Sequence, residues 1–128
     1  MSTNETPPEA TPAAGYFKKC PNCDHVWTTR EDMLSDPLLN IIGYMADMKI
    51  IEDGLFLFDH ATCKTTLAAK IRLFVDLYDG PVFPDILFGK GECEGHCVNI
   101  HDLERCSQEC NFSRMRELIL LLANWPRR

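Results

Sequence analysis

Seven cysteines stand in a chain of 128 residues, and six of them fall into closely spaced pairs. The earliest pair has two residues between its members and the two later pairs have three: Cys20 and Cys23, Cys93 and Cys97, Cys106 and Cys110. An odd number of cysteines cannot be consumed completely by intramolecular disulfides. In a reducing compartment, clustered thiols are typical of metal binding or redox chemistry.

Cys20 and Cys23 have the spacing of half a zinc site. The two-residue gap lets both thiolates face one ion while backbone amides of the tight turn point at the sulfurs. His60 and Cys63 have the same gap and directly follow a predicted strand. The four together make a tetrahedral set of three thiolates and one imidazole, which suits zinc. In the alternative interpretation, Cys63 is a small buried thiol of the core and His60 a capping or surface residue.

The later cysteines form a second candidate site: Cys93, Cys97, Cys106 and Cys110. Residues four apart share one face of a helix, so Cys106 and Cys110 can converge on one ion, whereas nearby glycines place the earlier pair on a loop. Four thiols at this spacing suit zinc, an iron–sulfur cluster or disulfides, and zinc is ranked first. His96 or His101 could replace one of these cysteines.

All seven cysteines are used if one site takes three of them with His60 and the other site takes four. We therefore predict two zinc ions per chain, with a structural role, in a regulatory or protein-interaction module. The first alternative is an iron–sulfur redox or sensor protein that uses the four later cysteines. The second is a thiol oxidoreductase that uses Cys20 and Cys23. The familiar catalytic motifs are absent from the sequence, which favours a protein without enzymatic activity.

The run Cys20-Pro21-Asn22-Cys23, between Tyr16-Phe17 and Trp27, resembles the first knuckle of zinc ribbons and rubredoxins. It departs from the common form at Asp24, where a glycine often stands. The resemblance implies half of a metal site and no activity. The doubled Cys-x-x-x-Cys spacing resembles that of small mitochondrial intermembrane-space chaperones, whose pairs form disulfides across a helical hairpin, but the gap between pairs is shorter here.

The chain as a whole resembles an uncharacterised group of bacterial cysteine-rich proteins. The shared features are the run from Leu55 to His60 with Cys63, the run from Thr65 to Ala68, the run from Leu77 to Pro81, and the late cysteine pairs. This resemblance implies no known activity.

The secondary structure predicted around these ligands indicates a small α+β fold stabilised by metal. Residues 1–15 are polar and proline-rich and are predicted to be a disordered leader before a single domain over 16–128. A strand is favoured within 38–49. The turn Glu52–Gly54 and the apolar run Leu55–Phe58 then predict an antiparallel hairpin.

Two helices complete the prediction. Apolar residues at helical spacing predict a middle helix over Ala69–Tyr78, before the stop signal Gly80-Pro81. The last helix is expected to be capped by Ser113 and ended by Pro126. Its apolar stripe is broad and contains Met115, Leu118, Ile119, Leu122 and Trp125. This stripe is expected to pack deeply in the chain or to contact a protein partner or a second copy.

Charge and hydropathy exclude several classes of protein. The net charge of −6 argues against nucleic-acid binding, which needs a basic face. No apolar run approaches the roughly 20 residues that a membrane span requires. The first residues lack the features of a secretory signal, so we expect a cytoplasmic protein. The arginines near the C-terminus are expected on a solvated helix face.

Overall fold

The computed structural model describes residues 15–127, which form two antiparallel sheets and two α-helices. The elements are β1 (Lys18–Lys19), β2 (Val26–Trp27), α1 (Arg30–Leu34), β3 (Leu39–Met45), β4 (Leu55–His60), β5 (Thr65–Lys70) and α2 (Ser113–Ala123). The α+β class predicted from the sequence is confirmed. All of the predicted leader except its last residue, Gly15, lies outside the described residues, as does Arg128.

The central sheet has the order β3-β4-β5, with every neighbouring pair antiparallel. The strand predicted within 38–49 is present and ends at Met45, and it pairs with β4 as the predicted hairpin requires. The connection between them contains a 3₁₀ turn at Ile51–Asp53. The hairpin prediction is therefore confirmed, with a longer connection than the turn signal alone indicates.

The middle helix predicted over Ala69–Tyr78 is wrong. Strand β5 extends to Lys70, and two separate 3₁₀ turns follow it, Ile71–Leu73 and Val75–Leu77. Ile71 and Phe74 are both fully buried, and their three-residue spacing fits the period of a 3₁₀ turn as well as it fits an α-helix. Pairing with β4 takes the first residues of the predicted helix into the sheet.

Strand β4 alternates strictly between half-buried and fully buried residues. Its buried members are Phe56, Phe58 and His60, because successive side chains of a strand point to opposite faces of the sheet. The rings of Phe56 and Phe58 lie 6.0 and 6.1 Å from the ring of Phe74, in the centre of the core. The same two-residue period carries His60 onto the core face at the end of the strand.

Helix α2 packs against β3 through its apolar face. The buried apolar residues are Met115, Leu118, Ile119 and Leu122, which matches most of the predicted stripe. Ser113 is the first residue of the helix and is not its cap. Phe112 holds the N-cap position and makes no side-chain capping bond. No helix within residues 15–127 combines the length and the apolar character that crossing a membrane requires.

The described arginines near the C-terminus, Arg114, Arg116 and Arg127, do not lie on a solvated face, so that prediction is wrong for them, and Arg128 lies outside the described residues. Arg116 is fully buried, and Arg114 pairs with Glu52 at 3.0 Å. Arg127 donates hydrogen bonds to backbone carbonyls, including that of Leu39 at 2.6 Å. These guanidinium groups therefore hold the helix and the tail to the rest of the domain.

The segment 78–112 contains no helix or strand apart from a 3₁₀ turn at His96–Val98. It crosses the outer edge of β3, where the Tyr44 amide donates to the Ile100 carbonyl at 2.8 Å. The strand is irregular at this point, and a Cβ at Gly43 would lie 2.9 Å from the Ile100 oxygen and 3.3 Å from Leu57. The glycine is what allows the loop to approach the strand.

We expect Gly43→Ala to lower the free energy of unfolding by about 1–3 kcal/mol, because the added methyl must displace a backbone carbonyl. Urea denaturation measures the change. Asn40→Ala, at an exposed position of the same strand, is the control and should stay within about 0.5 kcal/mol of the unaltered protein. Equal stability of the two variants would contradict the close approach.

Candidate metal centre

The four residues predicted to form the first site meet in the structure. The Sγ atoms of Cys20, Cys23 and Cys63 and a ring nitrogen of His60 all lie within 4.8 Å of one another. Two come from the turn between β1 and β2 and two from the end of β4 and the turn that follows it. A compact set of metal-ligating atoms is thus assembled from two segments far apart in the sequence.

The separations between these atoms match a tetrahedral zinc site. Bonds of about 2.3 Å to sulfur and about 2.0–2.1 Å to nitrogen, at the tetrahedral angle, place two sulfurs about 3.8 Å apart and a sulfur and a nitrogen about 3.6 Å apart. The Sγ atoms of Cys20 and Cys63 are separated by 3.7 Å. The Nδ1 atom of His60 lies 3.6 Å from Cys23 Sγ and 3.5 Å from Cys63 Sγ. These three separations, with all four atoms within 4.8 Å of one another, are compatible with one shared ion.

The first knuckle is built by the turn between β1 and β2. The amide of Asp24 donates to the carbonyl of Cys20 at 3.0 Å, and the amide of Cys20 donates to the carbonyl of His25 at 2.8 Å. Asp24 has a φ of 65°, in the left-handed region that glycine adopts most easily. Aspartate is among the residues that tolerate this conformation, which explains how Asp24 stands where a glycine is common.

The turn after β4 repeats this construction. The amide of Lys64 donates to the carbonyl of His60 at 2.8 Å, and Lys64 has a φ of 60°. In both turns, the residue after the second ligand is left-handed and closes a hydrogen bond to the first ligand. The sequence shows the equal spacing of the two ligand pairs and predicts one knuckle, at Cys20 and Cys23, whereas the structure contains two.

Aromatic rings fix the orientation of the His60 imidazole. Its ring packs edge-on to Trp27 at 5.1 Å and lies 5.5 Å from His25, and its side chain is 1% exposed. The indole of Trp27 donates to Asp36 at 2.8 Å and is itself held in place. The interpretation of His60 as a surface residue is therefore wrong, and its Nδ1 atom is directed at the sulfurs.

Electrostatics in the cluster favour thiolate at one position and oppose it at another. Burial raises the pKa of Cys20, but hydrogen bonds from the backbone of Cys23 and Asn22 and from the His60 and Cys63 side chains lower it to about 6. At Cys23, the backbone of His25 lowers the pKa, but burial and the neighbouring thiols raise it above its usual value. Crowded thiols cannot all ionise together unless a cation compensates them.

The four later cysteines are among the residues that line one small, partly open cavity of about 20 Å³. They do not form a group as close as the first one. The amide of Leu87 donates to Cys110 Sγ at 3.2 Å, and the amide of Gln108 donates to Cys106 Sγ at 3.4 Å. The helix expected to carry Cys106 and Cys110 is absent, because residues 102–110 form an irregular loop. The four cysteines share the lining of this cavity because of the loop and not because of a shared helix face.

The two histidines considered as substitute ligands are engaged elsewhere. The ring of His96 lies 2.7 Å from an Asp102 oxygen and 2.9 Å from a Glu94 oxygen, and these carboxylates raise its pKa. His101 donates from Nδ1 to the carbonyl of Ile42 at 2.9 Å.

Burial raises the pKa of the Cys97 thiol to about 11, while the positive charge of Arg116 opposes that shift.

We expect His60→Ala to weaken zinc binding at the first site by more than the roughly 10–100-fold that loss of an outer-shell partner costs, because a direct ligand is removed. Competition with a chromophoric chelator measures the affinity. His25→Ala is the matched control, since that histidine lies 5.5 Å from His60 and is not in the ligand group. The assignment fails if the two variants bind zinc equally well.

Relief of the left-handed backbone at Lys64 should stabilise the second knuckle. We expect Lys64→Gly to raise the free energy of unfolding of the zinc-loaded protein by about 1 kcal/mol, because glycine adopts this φ without a steric penalty. Lys64→Ala keeps the penalty and serves as the control for loss of the lysine side chain. Thermal denaturation of both variants checks this, and a glycine variant no more stable than the alanine variant would argue against it.

Comparisons with known proteins identify no relative. The chain matches no protein-family model, no curated protein and no solved structure. Neither the zinc-ribbon resemblance nor the bacterial resemblance is supported by a match of this kind. What is shown is a group of three cysteines and one histidine, assembled at metal-binding distances from two turns.

Proposed function

We propose that the protein binds zinc at Cys20, Cys23, His60 and Cys63, and that this zinc has a structural role. The observation that carries the proposal is that three separations among these four atoms match those of a tetrahedral zinc site. Three thiolates and an imidazole are soft and borderline ligands that favour zinc over magnesium, calcium or manganese.

Two features support a structural rather than a catalytic ion. Four protein ligands complete a tetrahedron, whereas a catalytic zinc keeps one position open for water or substrate. Strands β1 and β2 have two residues each, and a hairpin of that size is at best marginally stable alone. An ion shared with the end of β4 fastens this hairpin to the central sheet, and the binding of structural zinc contributes on the order of 10 kcal/mol.

The proposal keeps the count of two zinc ions per chain. The cysteines not used in the first site are the four around the small cavity, so a second ion belongs there. All seven cysteines are free thiols, and metal-bound thiolates persist best in a reducing compartment such as the cytoplasm.

The biological role that we propose is a regulatory or protein-interaction module stabilised by metal. Beside α2 lies an open groove of about 770 Å³ whose walls include the apolar side chains of Phe83, Leu120 and Leu121. An ion pair between Arg105 and Glu117 at 2.7 Å lies at the same groove. Apolar side chains mixed with polar and charged groups are a composition that suits contact with another protein.

One observation favours the thiol oxidoreductase alternative, namely the lowered pKa of Cys20. A low pKa is required of a nucleophilic thiol, but it is equally required of a metal ligand. The Cys20 side chain is 0% exposed, and a catalytic thiol must be reached by its substrate. The structural zinc site therefore accounts better for this residue. Turnover of a disulfide substrate that Cys20→Ser abolishes without unfolding the chain would reverse this preference.

Removal of the metal tests the structural role. We expect protein purified without added ions to contain two zinc ions per chain by elemental analysis and native mass spectrometry. Complete stripping by a strong chelator should unfold most of the chain, because on the order of 10 kcal/mol per ion is lost. Circular dichroism and the melting temperature measure this effect, and re-addition of zinc should reverse it. An unchanged melting temperature in fully stripped protein would contradict the proposal.

A further inference from the structure

A fully buried arginine lies on the inner side of α2 and lacks a complete set of partners. The Nε atom of Arg116 donates to the carbonyl of Glu104 at 2.8 Å, and Nη2 donates to the carbonyl and, at 3.2 Å, to the carboxylate of Asp102. Within residues 15–127, no acceptor bonds to Nη1. Burying a guanidinium is costly unless opposite charge compensates it. The Asp102 carboxylate is shared with His96, so it compensates Arg116 only in part.

The position of Arg116 links it to the four later cysteines. Asp102 and Glu104 belong to the loop that joins one cysteine pair to the other, so the guanidinium holds that loop from the inside. His96, bound to the same Asp102, lines the cysteine cavity. Through Asp102 and His96, the buried guanidinium of Arg116 is thus connected to the lining of the cysteine cavity.

The cavity is the right size for one ion. A volume of about 20 Å³ slightly exceeds the roughly 10–15 Å³ that one water molecule requires. An iron–sulfur core of four or eight atoms needs far more room. The apolar side chains of Leu87, Phe88 and Phe112 also line the cavity. One metal ion fits this space.

We infer that Cys93, Cys97, Cys106 and Cys110 hold one zinc ion as four thiolates, and that the buried guanidinium of Arg116 balances the charge of this site. The inference rests on the two-ion form of the proposed function, but it does not depend on the first site. Binding of the ion forms four zinc–sulfur bonds and releases four thiol protons to solvent. The product carries two net negative charges, and Arg116 neutralises one of them.

Two further contacts agree with thiolates at this site. The backbone amides of Leu87 and Gln108 donate to sulfur atoms of Cys110 and Cys106. Amide donors to sulfur stabilise negative charge there and are the usual outer shell of a thiolate metal site. The loop carries no regular structure except one 3₁₀ turn, so small movements can bring the four sulfurs onto the ion.

The first experiment counts metal in the full chain. Native mass spectrometry of protein purified without added ions should show two zinc ions, and Cys93→Ser should leave one. Ser107→Ala, beside Cys106, is the control and should retain both. A single zinc that His60→Ala removes and Cys93→Ser does not would overturn this inference while the first site stands. Visible absorption from bound iron, or a mass reduced by disulfide formation among these cysteines, would also overturn it.

The second experiment tests the role of Arg116, with the first ion as an internal reference. We expect Arg116→Met to weaken binding of the second ion by about 10–100-fold relative to the first, as measured by chelator competition. Arg116→Lys keeps the charge and should retain both ions. A purely structural arginine would lower the melting temperature of the variant and leave the ratio of the two affinities unchanged, which overturns the charge-balance assignment.

Should Arg116→Met not fold, Arg116→Lys decides the question. Retention of both ions by Arg116→Lys, with the second ion still lost in Cys93→Ser, supports the inference. Loss of the second ion from Arg116→Lys while the first is retained shows that charge alone does not hold it, and overturns the assignment.

Discussion

The approach of four ligand atoms from two turns to one point is the constraint on which the first half of this protein depends. The turn that carries Cys20 and Cys23 belongs to a hairpin too small to be stable alone, and the turn that carries Cys63 closes the central sheet. Their ligand atoms approach to 3.5–3.7 Å. The ligand group therefore connects the small hairpin to the central sheet.

The second half of the chain is held in place in a different way. Segment 78–112 contains one 3₁₀ turn and no strand, yet it covers the outer edge of β3 and the start of α2. Ordering a long irregular segment costs conformational entropy, and such a segment forms few backbone hydrogen bonds that offset this cost. Segment 78–112 is held in place mainly by side-chain contacts, above all those of the cysteines and of Arg116. Buried charge and side-chain hydrogen bonds replace secondary structure there.

Ligand spacing was the part of the site that the sequence could reveal, because equal two-residue gaps reflect the geometry of one turn. Strand β4 was also predictable, since the apolar run ends at His60 and the two-residue period carries that side chain inward. The middle helix failed because Ile71 and Phe74 fit two periods equally well, and only pairing with β4 decides between them. The burial of Arg116 was not predictable, since its position on α2 matters only once the loop is seen to pack there.

The four ligands of the first site differ in their access to solvent. Cys20 and His60 are buried and Cys63 is half-buried, whereas Cys23 is exposed. With the proposed ion bound, ligand exchange would start where an incoming thiol can approach the ion, and the exposure of Cys23 would place that point there. A donor molecule that delivers the metal, or an acceptor molecule that removes it, would form a mixed complex with the protein. In that complex, Cys23 would be the ligand that is added or displaced.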